Sequence, residues 1–317
     1  MKQPQPACTN GDQIRQNLLQ QRLELERERE KEAEANTRKG LFHSAPRFPE
    51  FSFDVFLKLT GLRKRGEANA RDFQLRELAM SFEDLPPAFD GFRILHLSDI
   101  HFWEEDAEFT DKLCAFLESV EADFCAFTGD YRFAFTGPYG HVLEGMQCLL
   151  DSIRPTRGSA AVLGNHDIAA FVGPFGEMGL PILMNEGFAL ESGQDRIWIA
   201  GVDDPHRYQC DNLPLALENV PRENFTILLA HTPELAVSAS ECGVDLYLCG
   251  HTHCGQVCLP TGHAVVTNTR APRKFCFRQW RNGPTQGYTS PGLGTTDIPV
   301  RFYCPPEATI IRLERAD

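Results

Sequence analysis

The chain has 317 residues, 31 of them basic and 44 acidic, for a formal net charge of -13. That length supports one large α/β domain or two modest ones, and a composition of 42% hydrophobic and 24% charged residues excludes wholesale disorder. The acidic balance argues against a stable nucleic-acid coat, because phosphates are repelled unless a bound cation or a local basic groove reverses the sign.

The first segment, Asp12 to Gly40, interleaves basic residues (Arg15, Arg22, Arg27, Arg29) with acidic ones (Glu24, Glu26, Glu28, Glu30). This pattern predicts a solvated helix with Asp12 as N-cap and Gly40 as stop, frayed and appended to the rest. Residues 1–36 lack a secretory apolar region and no stretch reaches the length of a membrane span, so a cytoplasmic location is expected. The 11 cysteines, odd in number and irregularly spaced, fit small buried side chains in a reducing compartment. Residues 41–65 are aromatic and apolar (Phe42, Phe48, Phe51, Phe53, Phe56) and end in Arg63, Lys64 and Arg65. Such a segment either lies on an anionic membrane surface, peripheral to the inner face, or docks on its own domain. The expected division is therefore a charged helical or flexible extension with an amphipathic segment, residues 1–65, before a folded domain, residues 66–317.

Beyond Arg71 short apolar runs predict strands at 93–98, 124–128, 160–163, 197–202, 225–230 and 246–249, with helices at 105–119 and 142–153 between some of them. Five of the strands run into clusters of metal-ligand types: Asp99 and His101, Asp130, Asn165 with His166 and Asp167, His231, and His251 with His253. The carboxyl ends of strands are where open α/β sheets place their sites. Each cluster alone has an innocent reading as a cap, turn or strand-end residue; five in order outweigh it. Asp99, His101, Asp130, Asn165, His231, His251 and His253 offer oxygen and nitrogen but no thiolate. They exceed one tetrahedral shell, so they predict two divalent cations, of Mn, Fe or Zn type, with a bridging carboxylate. Two such cations against two carboxylates leave a positive centre, which suits an anionic phosphoryl substrate.

These blocks, Asp99-x-His101, Gly129-Asp130, Gly164-Asn-His166, His231 and Gly250-His-x-His253, resemble in order the five signatures of the calcineurin-like metallophosphoesterases. The resemblance runs from about Leu78 to Leu313. Gly250-His-Thr-His-Cys-Gly-Gln256 is similar to the last block of a small bacterial subgroup. The resemblance implies a four-layer α-β-β-α sandwich of two mixed sheets with a dimetal site at one edge. It assigns Asp99, His101, Asp130 and His253 to one metal, and Asp130, Asn165, His231 and His251 to the other. It also implies hydrolysis of a phosphodiester or pyrophosphate by a metal-bridging hydroxide. His166 would face the phosphoryl group and protonate the leaving oxygen, with Asp167 either fixing its tautomer or capping a helix. The departures are Phe133, where many members carry Asp, and Cys254, where the subgroup has Gly. Cys254 reads as inert for want of a neighbouring base. Arg301 is weighed as a phosphate contact against a surface role, and His206 as an approach to the site against a strand end. The alternatives are a UDP-2,3-diacylglucosamine-type lipid pyrophosphatase, a phosphomonoesterase and a non-catalytic binding module.

Overall fold

The computed structural model describes residues 10–38, 48–104, 106–264 and 266–316. In chain order come α1 (Asn10–Arg38), α2 (Phe48–Leu59), α3 (Leu62–Asn69), β1 (Gln74–Phe82), β2 (Arg93–Leu97), α4 (Ala107–Leu117), β3 (Phe124–Phe127), α5 (Gly140–Ser152) and β4 (Ser159–Ala161). Next are α6 (Val172–Glu177), β5 (Glu186–Ser192), β6 (Asp195–Gly201), α7 (Leu213–Ala216), β7 (Thr226–Leu229), α8 (Ala236–Glu241), β8 (Leu246–Cys249), β9 (Arg278–Asn282), β10 (Thr285–Thr289) and β11 (Glu307–Arg315). One sheet has the order β1-β11-β2-β3-β4 and the other β5-β6-β7-β8-β10-β9. Both are mixed: β11 runs parallel to β1 but antiparallel to β2, and β5 and β9 are the antiparallel edges of the second sheet.

Three apolar layers explain the stacking. Between the sheets, Ile94, Phe124, Ala126 and Ile311 meet Ile197, Ile199, Ile227, Leu229 and Leu248. The alternate residues of the same strands, Leu95, Leu97, Cys125 and Phe127, turn outward under α4 and α5, whose Phe109, Leu113, Leu117, Val142, Met146 and Leu149 recur at helical spacing. Ala200, Leu228, Tyr247 and Cys249 are covered on the other side by Ala216, Ala236, Ala239 and Trp280. Strands apolar on both faces require both faces to be covered, and the result is the expected α-β-β-α order. α4 starts where Asp106 accepts a bond from the Phe109 amide at 3.1 Å.

The amino-terminal part departs from a solvated appendage. Asp12 lies within α1, and the expected stop at Gly40 lies outside the described residues, as do residues 41–47. Leu19 packs against the outer apolar layer, and Arg22 is wholly buried. In α2, Leu57 is buried whereas Phe56 and Leu59 are exposed. Among the described residues, no helix is long and apolar enough to cross a membrane.

Candidate metal centre

The carboxyl ends of β2, β3 and β4 in one sheet and of β7 and β8 in the other open onto the same edge. The loops leaving them bring Asp99, His101, Asp130, Asn165, His231, His251 and His253 together, and all seven are buried. The ligand atoms form overlapping groups, Asp99–His101–His253, His101–Asp130–His166 and Asp130–His231–His251, each within 4.8 Å.

Asp130 joins the two halves. Its Oδ2 lies 3.3 Å from His231 Nε2, 3.6 Å from His101 Nε2 and 3.9 Å from His166 Nε2, while its Oδ1 accepts from the His166 amide at 2.8 Å. Asp99 sits on the other side, with Oδ1 3.5 Å from His253 Nε2. Ser98 Oγ and the His251 amide hold its carboxylate at 2.6 and 3.0 Å. The rings are oriented through their far nitrogens. His101 Nδ1 donates to Arg132 O, His231 Nδ1 to Thr128 O and His251 Nε2 to Asn268 O, which leaves the opposite nitrogen of each facing inward as the atom that could ligate a cation.

The local backbone is strained to reach this geometry. Asp99, His101, Asp130, His251 and His253 all have φ between 48° and 68°, a region that costs side-chain-bearing residues energy and collects at functional sites. Two glycines make room: a Cβ on Gly164 would collide with the Asp130 carboxylate, and one on Gly250 with Asp99 and Ser98.

The donor chemistry fits a cation. His231 Nε2 faces two oxygens, Asn165 Oδ1 at 3.0 Å and Asp130 Oδ2, and its other nitrogen is already committed as a donor. Burial alone would lower the pKa of His231, but the Asp130 and Asp99 carboxylates push it up to about 10. Burial likewise opposes ionisation of Asp130, yet the imidazoles of His231, His166 and His101 hold its carboxyl well below the usual carboxylate range. A proton there does the work that a divalent ion would do. His251 is pushed down to about 3 by burial and the neighbouring His231, so it stays an unprotonated donor.

His166 stands at the rim beside Asp130. Its Nδ1 donates to Phe133 O at 2.6 Å, its ring stacks on Phe135 at 3.8 Å, and its Nε2 faces inward. Burial pushes its pKa down to about 3. Asp167 does not touch the His166 ring. Its carboxylate instead accepts from the backbone amides of Asp130, Tyr131 and Gly164 at 2.7 to 2.8 Å, and the tautomer of His166 is set by Phe133 O. The side chain thus belongs to the loop that shapes Asp130, not to the reacting face.

The remaining candidates are placed as follows. Arg301 has no solvent exposure; it donates to Gly294 O, Pro291 O, Gly292 O and Cys304 O, and its Nη2 also lies 3.3 Å from His253 Nδ1, the ring nitrogen facing away from Asp99. It knots the 291–304 segment and offers no fork to phosphate. His206 packs on His251 with centroids 4.4 Å apart and pairs with Glu234 at 2.7 Å. Cys254 is buried, and burial pushes its thiol up. A cleft of about 780 Å³ opens beside His101, lined in part by Trp103, Arg71, Lys112 and Thr295.

Sequence reasoning missed Arg22 and Glu26, which touch the segment carrying Asn165 and His166. Their i,i+4 spacing is the same as that of exposed pairs elsewhere, such as Lys112–Glu108, so nothing local marks them. Phe135, stacked on His166, carried no sequence signal either.

Two mixed sheets with a histidine–aspartate cluster at their shared edge define a metallophosphoesterase architecture. The chain belongs to the calcineurin-like phosphoesterase family, whose model matches residues 92–255, just over half of its length. It is a hydrolase of phosphoric esters. The uncharacterized metallophosphoesterase YkuE of Bacillus subtilis is 29% identical over 245 residues, covering 73% of this chain and 82% of YkuE. The phosphodiesterase YaeI of Escherichia coli is 26% identical over 234 residues, covering 70% of this chain and 82% of YaeI. Among solved structures, the phosphopantetheinyl hydrolase of Mycobacterium tuberculosis aligns with a TM-score of 0.42 at 10% identity, over 65% of this chain and 91% of that one.

Proposed function

We propose that the chain hydrolyses a phosphodiester or pyrophosphate at a two-metal centre. In this reading Asp99, His101, Asp130 and His253 hold one divalent cation of Mn, Fe or Zn type, and Asp130, Asn165, His231 and His251 hold the other. The observation that carries it is the position of Asp130 Oδ2, within 3.9 Å of imidazoles from three separate loops. Such a pair of ions supplies Lewis acidity at the phosphoryl oxygens and an acidified water.

The protein's own groups do the rest. Backbone carbonyls hold His101, His231 and His251 with one ring nitrogen facing inward, where each would ligate a bound cation. His166 presents Nε2 toward Asp130 Oδ2; a bound phosphoryl group beside the ring would raise its low pKa and favour the imidazolium, whose Nε2 proton would then pass to the leaving oxygen. The cleft beside His101 has room for the second substituent that distinguishes a diester from a monoester, and the name of the relative YaeI, a phosphodiesterase, supports the same choice.

Manganese-loaded protein should turn over bis-p-nitrophenyl phosphate faster than p-nitrophenyl phosphate. The reverse order would favour the phosphomonoesterase alternative, and no turnover of either, with metals bound, the binding module. A UDP-2,3-diacylglucosamine-type substrate is the narrower option, supported by exposed Phe56 and Leu59 beside Lys58 on α2. The same surface supports peripheral contact of residues 41–65 with an anionic membrane. Phosphatidylglycerol vesicles that fail to pellet the protein would remove that contact. We also keep residues 66–317 as the catalytic domain, preceded by an added segment.

A further inference from the structure

α1 lies outside the residues matched by the family model, yet it reaches into the catalytic edge. The guanidinium of Arg22 is fully buried and each of its nitrogens is committed. Nη2 donates to Asp167 O at 2.9 Å and Gly164 O at 3.4 Å, Nη1 to Asp203 Oδ1 at 2.5 Å, and Nε to Glu26 Oε1 at 2.9 Å. Its face lies 3.6 Å from the centre of the Tyr208 ring. Glu26 Oε1 accepts in turn from the Ala169 amide at 2.7 Å.

The segment between β4 and α6 is thus gripped from outside at Gly164 O, Asp167 O and Ala169 N, and Asn165 and His166 lie between those points. The same guanidinium holds Asp203. The next residue, Asp204, accepts from the amides of His206, Arg207 and Tyr208, and His206 packs on His251. One planar fork therefore ties together two loops on the His231–His251 side of the centre. A buried cation is costly to retain unless every donor is satisfied, and a lysine could not reproduce the geometry, being a point charge without a planar fork.

We propose that α1 is a working part of the catalytic centre: Arg22, supported by Glu26, is a positioning residue that clamps the Gly164–Ala169 loop and so sets where Asn165 and His166 stand. The proposal rests on the reading of Asn165 as a metal ligand. It makes metal affinity on that side of the centre depend on a helix outside the residues that the family model matches. Loss of a supporting partner typically costs about 10- to 100-fold in metal affinity. The clamp should therefore show as weakening of one of two sites, with the Asp99–His253 site unchanged.

The test uses the full-length, metal-free protein titrated with Mn²⁺, together with amide deuterium exchange over residues 164–169. The variants are Arg22→Met, Arg22→Lys, Asn165→Ala and, as a control on the same helix, Arg15→Ala, whose side chain is half-exposed. The double variant Arg22→Met with Asp203→Asn leaves a neutral pair and covers the case in which the single change does not fold. Expected are faster exchange at 164–169 and one site weakened about 10- to 100-fold in Arg22→Met or the double variant, partial recovery in Arg22→Lys, and wild-type behaviour in Arg15→Ala. A folded Arg22→Met or double variant with wild-type exchange and both affinities intact would overturn the clamp. Asn165→Ala with two unaltered sites would sink the ligand reading instead, and the exchange rates would still decide the clamp.

Discussion

Replacing Asp167 with Asn separates a structural from a chemical role for a side chain next to His166. The native carboxylate, with no solvent exposure, places Oδ2 to accept from Asp130 N and Gly164 N, and Oδ1 to accept from Tyr131 N at 2.8 Å. An asparagine has one acceptor oxygen. Set in the Oδ2 position it keeps the first two bonds, and its amide group then meets the Tyr131 N–H donor to donor. One charge-assisted bond, worth about 1.5–3 kcal/mol, is lost, and a buried donor is left unsatisfied at a cost of about 1–3 kcal/mol. A loss of about 2.5–6 kcal/mol follows, a large share of the 5–15 kcal/mol typical of a folded protein. Urea unfolding of the metal-free protein at pH 7.5 reads it as a lower midpoint. A variant with an unchanged midpoint, a reduced kcat and a displaced rate–pH profile would refute this reasoning and return Asp167 to the role of fixing the His166 tautomer.

The remaining predictions concern stability against pH and the space around the carboxylates. His96 on β2 is fully buried, bonds Thr128 Oγ1 at 2.8 Å and leaves its Nδ1 without a partner; burial pushes its pKa down to about 3. A depressed histidine contributes stability that is present above the unfolded pKa of about 6.5 and lost as pH falls toward 3, about 2 kcal/mol by pH 5. His96→Leu should therefore flatten the decline in urea midpoint between pH 6.5 and 5, and an undiminished slope would rule out this source. Gly250→Ala puts a methyl against Asp99 and Ser98. It should cost about 1–3 kcal/mol by overpacking and weaken metal binding on the Asp99 side, as read by thermal melts and metal analysis; a variant like wild type in both would contradict the packing described.

The legible part of this protein was local. Strands β2, β3, β7 and β8 fall within a residue or so of their expected bounds, because continuous apolar runs ending in Gly or polar residues mark a doubly covered strand. The seven clustered donors were visible because each immediately follows such a strand. β1 was not legible: its Gln, Arg, Glu and Ser residues are mostly exposed at the edge of the sheet, so it lacks an apolar signature. The roles of Asp167 and Arg301 were hidden for another reason. Their partners are mostly backbone amides and carbonyls, which carry no residue-specific signal, and the one ring that Arg301 meets, His253, is 48 residues away. Arg22 shows the limit most clearly, since its burial depends on Asp203, 181 residues away.

Metal content is the most direct test of the centre. Protein purified, stripped and reloaded with Mn²⁺ should hold two ions per chain, and Asp130→Asn, which removes the carboxylate placed between the His101 and His231 rings, should hold at most one and lose turnover. Two tightly bound ions retained in the Asp130→Asn protein, or none in the wild type, would contradict a shared dimetal site at this edge of the sandwich.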